Sequence, residues 1–400
     1  MSLYASWSYF ALMIIVMGIA ALPLFRFVDS PATQSTRYAE IDGLRGFLAL
    51  GVFVFHLVVT HRFIATGNWE VPPVHFYAAL GPVGVSLFFM ITGFLFWGQL
   101  LRVKGKPRWR ELYTGRLFRI APMYLVVVVA MLCIVFSRTG FTLHEPLDAT
   151  AKSVLQWLAL GLIDTQPDVN GYRATHVLAG VTWTIAYEWA FYASLLVSAY
   201  FARYSQHLAI VSVALVLCLV GKALLHVDAI GFAALFLIGM TVASLLHARW
   251  IVRMTNRTMS LLALLCLITI FVIARSGYGT MTALLLAAFF YLVCCGASLF
   301  GLLTSVPAQR LGNLSYSLYL MQGLVLTLVF GVPSIRDFAM ASSLNYWTIG
   351  IGCACVLVIC ASLGYAFIER PAIAFGKRVA KGRLSVASSP QHVAKRERVA

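Results

Sequence analysis

Negative charge is scarce in this chain. Among its 400 residues, 14 are Asp or Glu against 30 Lys or Arg, and the charged residues together make up only 11%. Soluble domains carry about 25%. With 61% hydrophobic residues and a mean hydropathy of +0.87, the chain is not an ordinary soluble domain and reads as a polytopic membrane protein. No polar stretch is long enough to form an appended soluble domain. Cysteine is present without pattern. Cys133, Cys218, Cys266, Cys294, Cys295, Cys353, Cys355 and Cys360 all lie inside apolar runs. None has Cys-x-x-Cys spacing or the loop placement of a disulfide framework, so no metal site is expected and the thiols read as small core hydrophobes. The basic excess forms neither a face nor a known motif, so nucleic acid is not expected as a partner. It sits instead in short runs between apolar segments, the pattern of the positive-inside rule.

A spanning helix needs about 20 apolar residues. Stretches near 8–25, 44–60, 80–101, 118–137, 182–202, 208–225, 231–247, 258–275, 280–304, 314–331 and 345–368 predict eleven. The fold class is therefore an all-α membrane bundle, about ten core helices plus one N-terminal helix. The apolar run "VLQWLALGLI", residues 154–163, is too short to span and reads as re-entrant or interfacial. "MSLYASWSYF" has no basic residue, which argues against a signal peptide, while Arg26 and Arg37 follow the first apolar segment. With the N-terminus outside, the run 102–119 with seven basic residues, the loop 248–257 with three, and a tail with eight all fall in the cytoplasm. If 154–163 spanned, the loop 248–257 and the tail would lie outside. Residues 1–43 then form an anchor helix and cytoplasmic linker, 44–371 the membrane domain, and 372–400 a basic cytoplasmic tail able to touch anionic lipid. No fixed-period repeat is apparent.

Ionisable residues inside spans are costly and are functional candidates by default. In "EIDGLRGFLALGVFVFHLVVT", Arg45 and His56 are eleven residues apart. That spacing returns a helix to within about 20° of the same face, about 16 Å further along, so a polar stripe crosses most of the membrane. The bland alternative is a snorkelling arginine and a locally bonded histidine. Arg116 and Arg119 in "GRLFRIAPMY" share one face at i and i+3, beside Pro122. They suit a polyanion approaching from the cytoplasm, or simple anchoring. Glu188 in "VTWTIAYEWAFYAS" lies among Trp183, Tyr187, Trp189 and Tyr192; its depth makes a pair with His56 geometrically possible, the alternative being a structural bond to a nearby aromatic. "GPVGVSLFFMITGFLFWG" offers Gly81, Gly84, Ser86, Thr92, Gly93 and Gly98, either for close helix packing or as a slot for a thin ligand chain. Ser315, Tyr316, Gln322 and Glu369 lie near helix ends, with Glu369-Arg370-Pro371 reading as a helix stop.

Taken in order, "IDGLRGFLALGVFVFH", "GVSLFFMITGFLF", "GRLFRIAPMY", "TWTIAYEWAFY", "LGNLSYSLYLMQ" and "IERP" resemble the membrane-bound acyltransferase 3 family, over residues 41–371. The resemblance implies an O-acyltransferase of the bacterial cytoplasmic (inner) membrane. Its co-substrate would be acyl-CoA, acetyl-CoA by family habit, and its acceptor a polysaccharide or lipid-linked glycan. It implies His56 as the main catalytic residue with Arg45 its companion, Arg116 and Arg119 on the acyl-CoA path, and a functional Glu188; Thr92 and Tyr316 belong to the motifs on that path. Two positions depart from the family pattern. Thr92 replaces the usual Ser of "SGF", keeping a hydroxyl, and Gln322 stands where a second His is common.

The chemistry this suggests is acyl transfer across the membrane. Phosphates stay near Arg116, Arg119 and Arg45, the pantetheine arm follows the polar stripe, and His56 takes the proton of an acceptor hydroxyl. Glu188 would hold the imidazole tautomer, as carboxylates do in triads, and an acyl-histidine is a second route. The rival reading is a transporter or flippase, which would show inverted repeats and paired broken helices. Nothing in the sequence specifies an oligomer.

Overall fold

The computed structural model describes residues 3–29, 38–163, 166–252, 254–273 and 278–381. Arg37, Arg253 and the tail beyond Lys381, used above in the charge count, lie outside these. The described residues form a helical membrane bundle with no strand. Lipid offers no partner for backbone N–H and C=O, and helices satisfy both internally.

The elements follow the apolar runs. α1 (Ser6–Ala21) stops where Pro23 forces Leu22 into an extended conformation. Next come α2 (Ala39–Thr66), α3 (His75–Arg102) and α4 (Trp109–Arg138). The segment after α4 holds α5 (Leu147–Leu158) and the single-turn α6 (Ala174–Val177). α7 (Trp183–Phe201), α8 (His207–Leu225), α9 (Asp228–His247), α10 (Asn256–Ile273) and α11 (Thr280–Cys294) complete the middle of the chain. α12 (Val306–Phe330), the short α13 (Pro333–Met340), α14 (Ser343–Gly364) and α15 (Arg370–Ala380) close it. Each predicted span falls on a helix. Among the described residues seven helical segments can cross a membrane by length and hydropathy, α1, α10 and α11 are apolar but shorter, and α7, predicted to span over 182–202, is in neither group. α5 is too short to cross, as expected of the 154–163 region.

Two boundaries differ from the sequence reading. The apolar run 280–304 is helical only to Cys294, because Gly296, Leu299, Phe300 and Gly301 take left-handed φ values. There the side chain of Asn256 gathers the returning loop, accepting from Ser298 and Ser260 and donating to the Gly296 carbonyl. Glu369-Arg370-Pro371 does not stop the helix. α14 passes through a wide π turn at Tyr365–Glu369 straight into α15. Proline is tolerated because it occupies the first turn of the new helix, where its missing N–H is not needed. α15 is amphipathic and lies on α4, with Gly376 against Phe118 and Phe375 edge-on to the same ring.

The centre of the bundle is made by glycine contacts. Gly93 of α3 presses on the Phe236 carbonyl of α9, while Gly239 of α9 presses on the Met90 carbonyl of α3. Any side chain at either position would overlap backbone, which is what small residues at membrane helix crossings avoid. Gly81 and Gly84 face α2 through Phe55 and Val52. These glycines of the "GPVGVSLFFMITGFLFWG" segment therefore serve packing and open no slot. On α2 and α12 the register is parallel. Gly46 meets Leu311 and Gly312, and ten residues further along both helices His56 meets Gln322.

Candidate active site

A cavity of 410 Å³ lies between α3, α4, α7 and α12, with α15 at its edge. Its wall includes Arg45, Thr92, Arg116, Arg119, Glu188 and Tyr316, which are six of the seven residues that the family resemblance ties to the site. His56, the seventh, is not part of the wall. Arg45 projects from α2 with Asp42 at 4.0 Å. Arg116 lies over the Phe96 ring at 4.9 Å. Arg119 lies over the Tyr316 ring at 5.6 Å and is ion-paired to Glu369. The Tyr316 hydroxyl in turn donates to the Ile120 carbonyl (2.8 Å), tying α12 to α4.

Glu369 is the charge beneath this site that the sequence placed at a helix end. The π turn carries it inward, where it is 1% exposed and its second oxygen accepts from the Ser317 hydroxyl at 2.9 Å. Arg119 is thus half of a buried pair. Arg116, Arg45 and Lys377, which α15 brings to the cavity, carry the remaining positive charge of the wall. Lys377 was missed because residues beyond 371 read as tail. The signal was present in "RPAIAFGKRVA", whose apolar residues recur at helical spacing.

The structure does not bring Glu188 to His56. The Glu188 carboxylate accepts from Tyr192 (3.2 Å), whose hydroxyl is also shared with Arg116, and the charges that act on it are Arg116, Arg45 and Arg119. The reason is the depth of α7. The segment before it folds into the bundle instead of lying across its end, so that Leu178 backs onto Gly323 and the Val177 carbonyl takes the Thr327 hydroxyl at 3.2 Å. α7 consequently begins level with Tyr319, where Thr184 and Tyr319 share a hydrogen bond of 3.2 Å. Glu188 falls a further turn toward the arginine end, and Trp189 beside it donates to the Leu160 carbonyl of the 154–163 segment at 2.9 Å.

Tyr319, Thr184 and Phe88 form part of the cavity wall, with the Phe88 ring edge-on to Tyr319. One turn beyond, fully buried Gln322 donates from Nε2 to the Tyr319 carbonyl (2.9 Å), while its Oε1 faces Nδ1 of His56 at 3.4 Å. A carbonyl only accepts, so it fixes the NH₂ end of the amide. The oxygen left facing the imidazole also only accepts, so a hydrogen bond there needs the proton on Nδ1, and the ring also bonds the Val52 backbone. An amide, not the expected carboxylate, faces the imidazole.

The arrangement is a helical membrane protein with a basic cavity, one of whose wall residues, Tyr319, connects through Gln322 to the buried histidine His56. A family model described as an acyltransferase domain, of the acyltransferase 3 type, matches residues 38–366. The chain belongs to that family and is a membrane acyltransferase. No curated protein and no solved structure matches it.

Proposed function

We propose that the protein moves an acyl group, acetyl by family habit, from cytoplasmic acyl-CoA to a hydroxyl of an extracytoplasmic glycan or lipid-linked sugar in the bacterial inner membrane, with the arginine end of the bundle in the cytoplasm. The observation that carries this reading is the single line from the basic cavity through Tyr319 and Gln322 to His56. Phosphates of the donor bind Arg116, Lys377 and Arg45; guanidinium pairs bidentately with phosphate, ammonium as a point charge. Arg119, already paired with Glu369, holds the wall's shape and adds field. The thin pantetheine arm runs inward past Thr92 and Tyr316 toward Tyr319.

Transfer requires the Tyr319–Thr184 contact to open, because it separates the cavity from the imidazole. The acceptor enters from the opposite side. Nε2 of His56 takes the acceptor's hydroxyl proton as its oxygen bonds to the thioester carbonyl carbon. The tetrahedral intermediate collapses, the C–S bond breaks, and the imidazolium returns the proton to the CoA thiolate. General-base help of this kind contributes about 10²- to 10⁴-fold. Glu188 acts on the donor side, holding Arg116 through Tyr192.

The test is acyl transfer from radiolabelled acetyl-CoA in membrane vesicles carrying His56→Ala, alongside mass spectrometry of surface glycans from cells with and without the protein. Loss of transfer with retained acetyl-CoA binding is expected. Full activity of the variant removes His56 from the mechanism, and substrate flux with no release of CoA would indicate a transporter instead.

A further inference from the structure

Four buried side-chain polar atoms have no hydrogen-bond partner among the described residues: Ser8 Oγ, Arg62 Nε, Thr150 Oγ1 and Ser315 Oγ. Only Ser315 lines the cavity. It is 1% exposed, on the helix face of α12 that leads one turn on to Tyr319. Its polar neighbours in the wall are engaged: Asn313 donates to the Val28 carbonyl, Tyr316 to that of Ile120, and Tyr319 shares its bond with Thr184. Hydroxyls elsewhere in these helices fall back on the carbonyl four residues earlier, as Thr60 does on His56 and Ser362 on Val358. Ser315 does not, although that option costs a helix little. An orphaned buried hydroxyl in a native site calls for an explanation, and a ligand group is one.

Resting on the acyl-CoA reading above, we infer that Ser315 is a binding residue for the donor, its hydroxyl hydrogen-bonding one of the secondary amides of the pantetheine arm. A hydroxyl both donates and accepts, as an amide does, so the two match in either orientation. The position fits. Seven residues of α12 separate Ser315 from Gln322, about 10 Å along the axis, so an amide held at Ser315 leaves the thioester end of the arm to span the distance to His56. The phosphates remain behind, on the side of Arg116 and Lys377.

The signs of the expected effects separate this role from a structural one. In purified full-length protein, Ser315→Ala removes a hydroxyl that bonds nothing in the free state, so the ligand-free Tm stays level or rises. Acetyl-CoA binding weakens by about two- to tenfold, the worth of one net hydrogen bond, and Ser315→Thr, which keeps the hydroxyl, retains most of the affinity. Titration calorimetry with acetyl-CoA and with CoA, together with thermal unfolding of each variant, measures all three. Unchanged affinity in Ser315→Ala overturns the inference, as does a lowered Tm or failure to fold, since either makes the hydroxyl structural. If the wild-type protein binds neither acetyl-CoA nor CoA, the acyl-CoA reading itself fails.

Discussion

At the scale of single residues, the proposed mechanism depends on which nitrogen of His56 holds a proton. In it Gln322 is a positioning residue. Replacing it with Leu keeps the shape but lets the imidazole take either tautomer, so kcat should fall about 10- to 100-fold, part of what general-base catalysis supplies, with KM for acetyl-CoA unchanged. Gln322→His, able to accept from Nδ1 through a ring nitrogen, should recover much of the rate. A parallel fall in Tm for Gln322→Leu would mark the residue as structural. The Arg119–Glu369 pair behaves differently. Glu369→Gln strands a guanidinium whose side chain is 19% exposed, and breaking a buried pair from one side costs about 3–5 kcal/mol. Thermal unfolding should show a clear drop in Tm, and Arg119→Met in the same background should restore part of it by removing the stranded charge.

At the scale of elements, what positions the site is how helices begin and end. The π turn at Tyr365–Glu369 lets one continuous helix deliver Glu369 inward and, two turns later, Lys377 to the cavity. α1 is held by a comparable device. Arg310 of α12, 5% exposed, donates to the Ala20 and Leu22 carbonyls at the end of α1 and forks onto Asp29. The Ala20 carbonyl belongs to the last turn of α1, where intrahelical donors run out, and the Leu22 carbonyl caps that end while also accepting from the Phe25 N–H. Arg310→Leu should therefore loosen α1 from the bundle. The expected readout is faster limited proteolysis between Leu22 and Asp29, with a lower Tm. Each lost hydrogen bond to a charged group is worth about 1.5–3 kcal/mol. An unchanged digestion pattern would show that the apolar contacts of α1 with α12 and α14 suffice.

Across the whole molecule, the proposed direction of transfer needs the basic end of the bundle to face the cytoplasm. In a cysteine-free background, Lys104→Cys lies at that end and Asn68→Cys at the other. A membrane-impermeant maleimide should label Asn68→Cys in intact cells and Lys104→Cys only after permeabilisation. The reverse result would put the arginine cavity outside and exclude cytoplasmic acyl-CoA as the donor. In the proposed mechanism the contact of Tyr319 with Thr184 stands between the basic cavity and the acceptor side.

The sequence by itself determined the class of this protein. Apolar length specifies a membrane helix with no reference to other segments, since lipid leaves no alternative way to satisfy the backbone. The arginines and hydroxyls of the cavity were legible for a related reason: charge inside an apolar run stands out locally. Pairings were not legible, because they depend on relative depth, and depth is set by how neighbouring segments stack. Only the tertiary structure decided that the segment before α7 sinks to Gly323 and carries Glu188 down to the arginines, that Gln322 takes the place beside His56, and that the chain after Glu369 continues as a helix over α4. Each of these turns on a contact between residues far apart in the chain, which hydropathy and helical period do not encode.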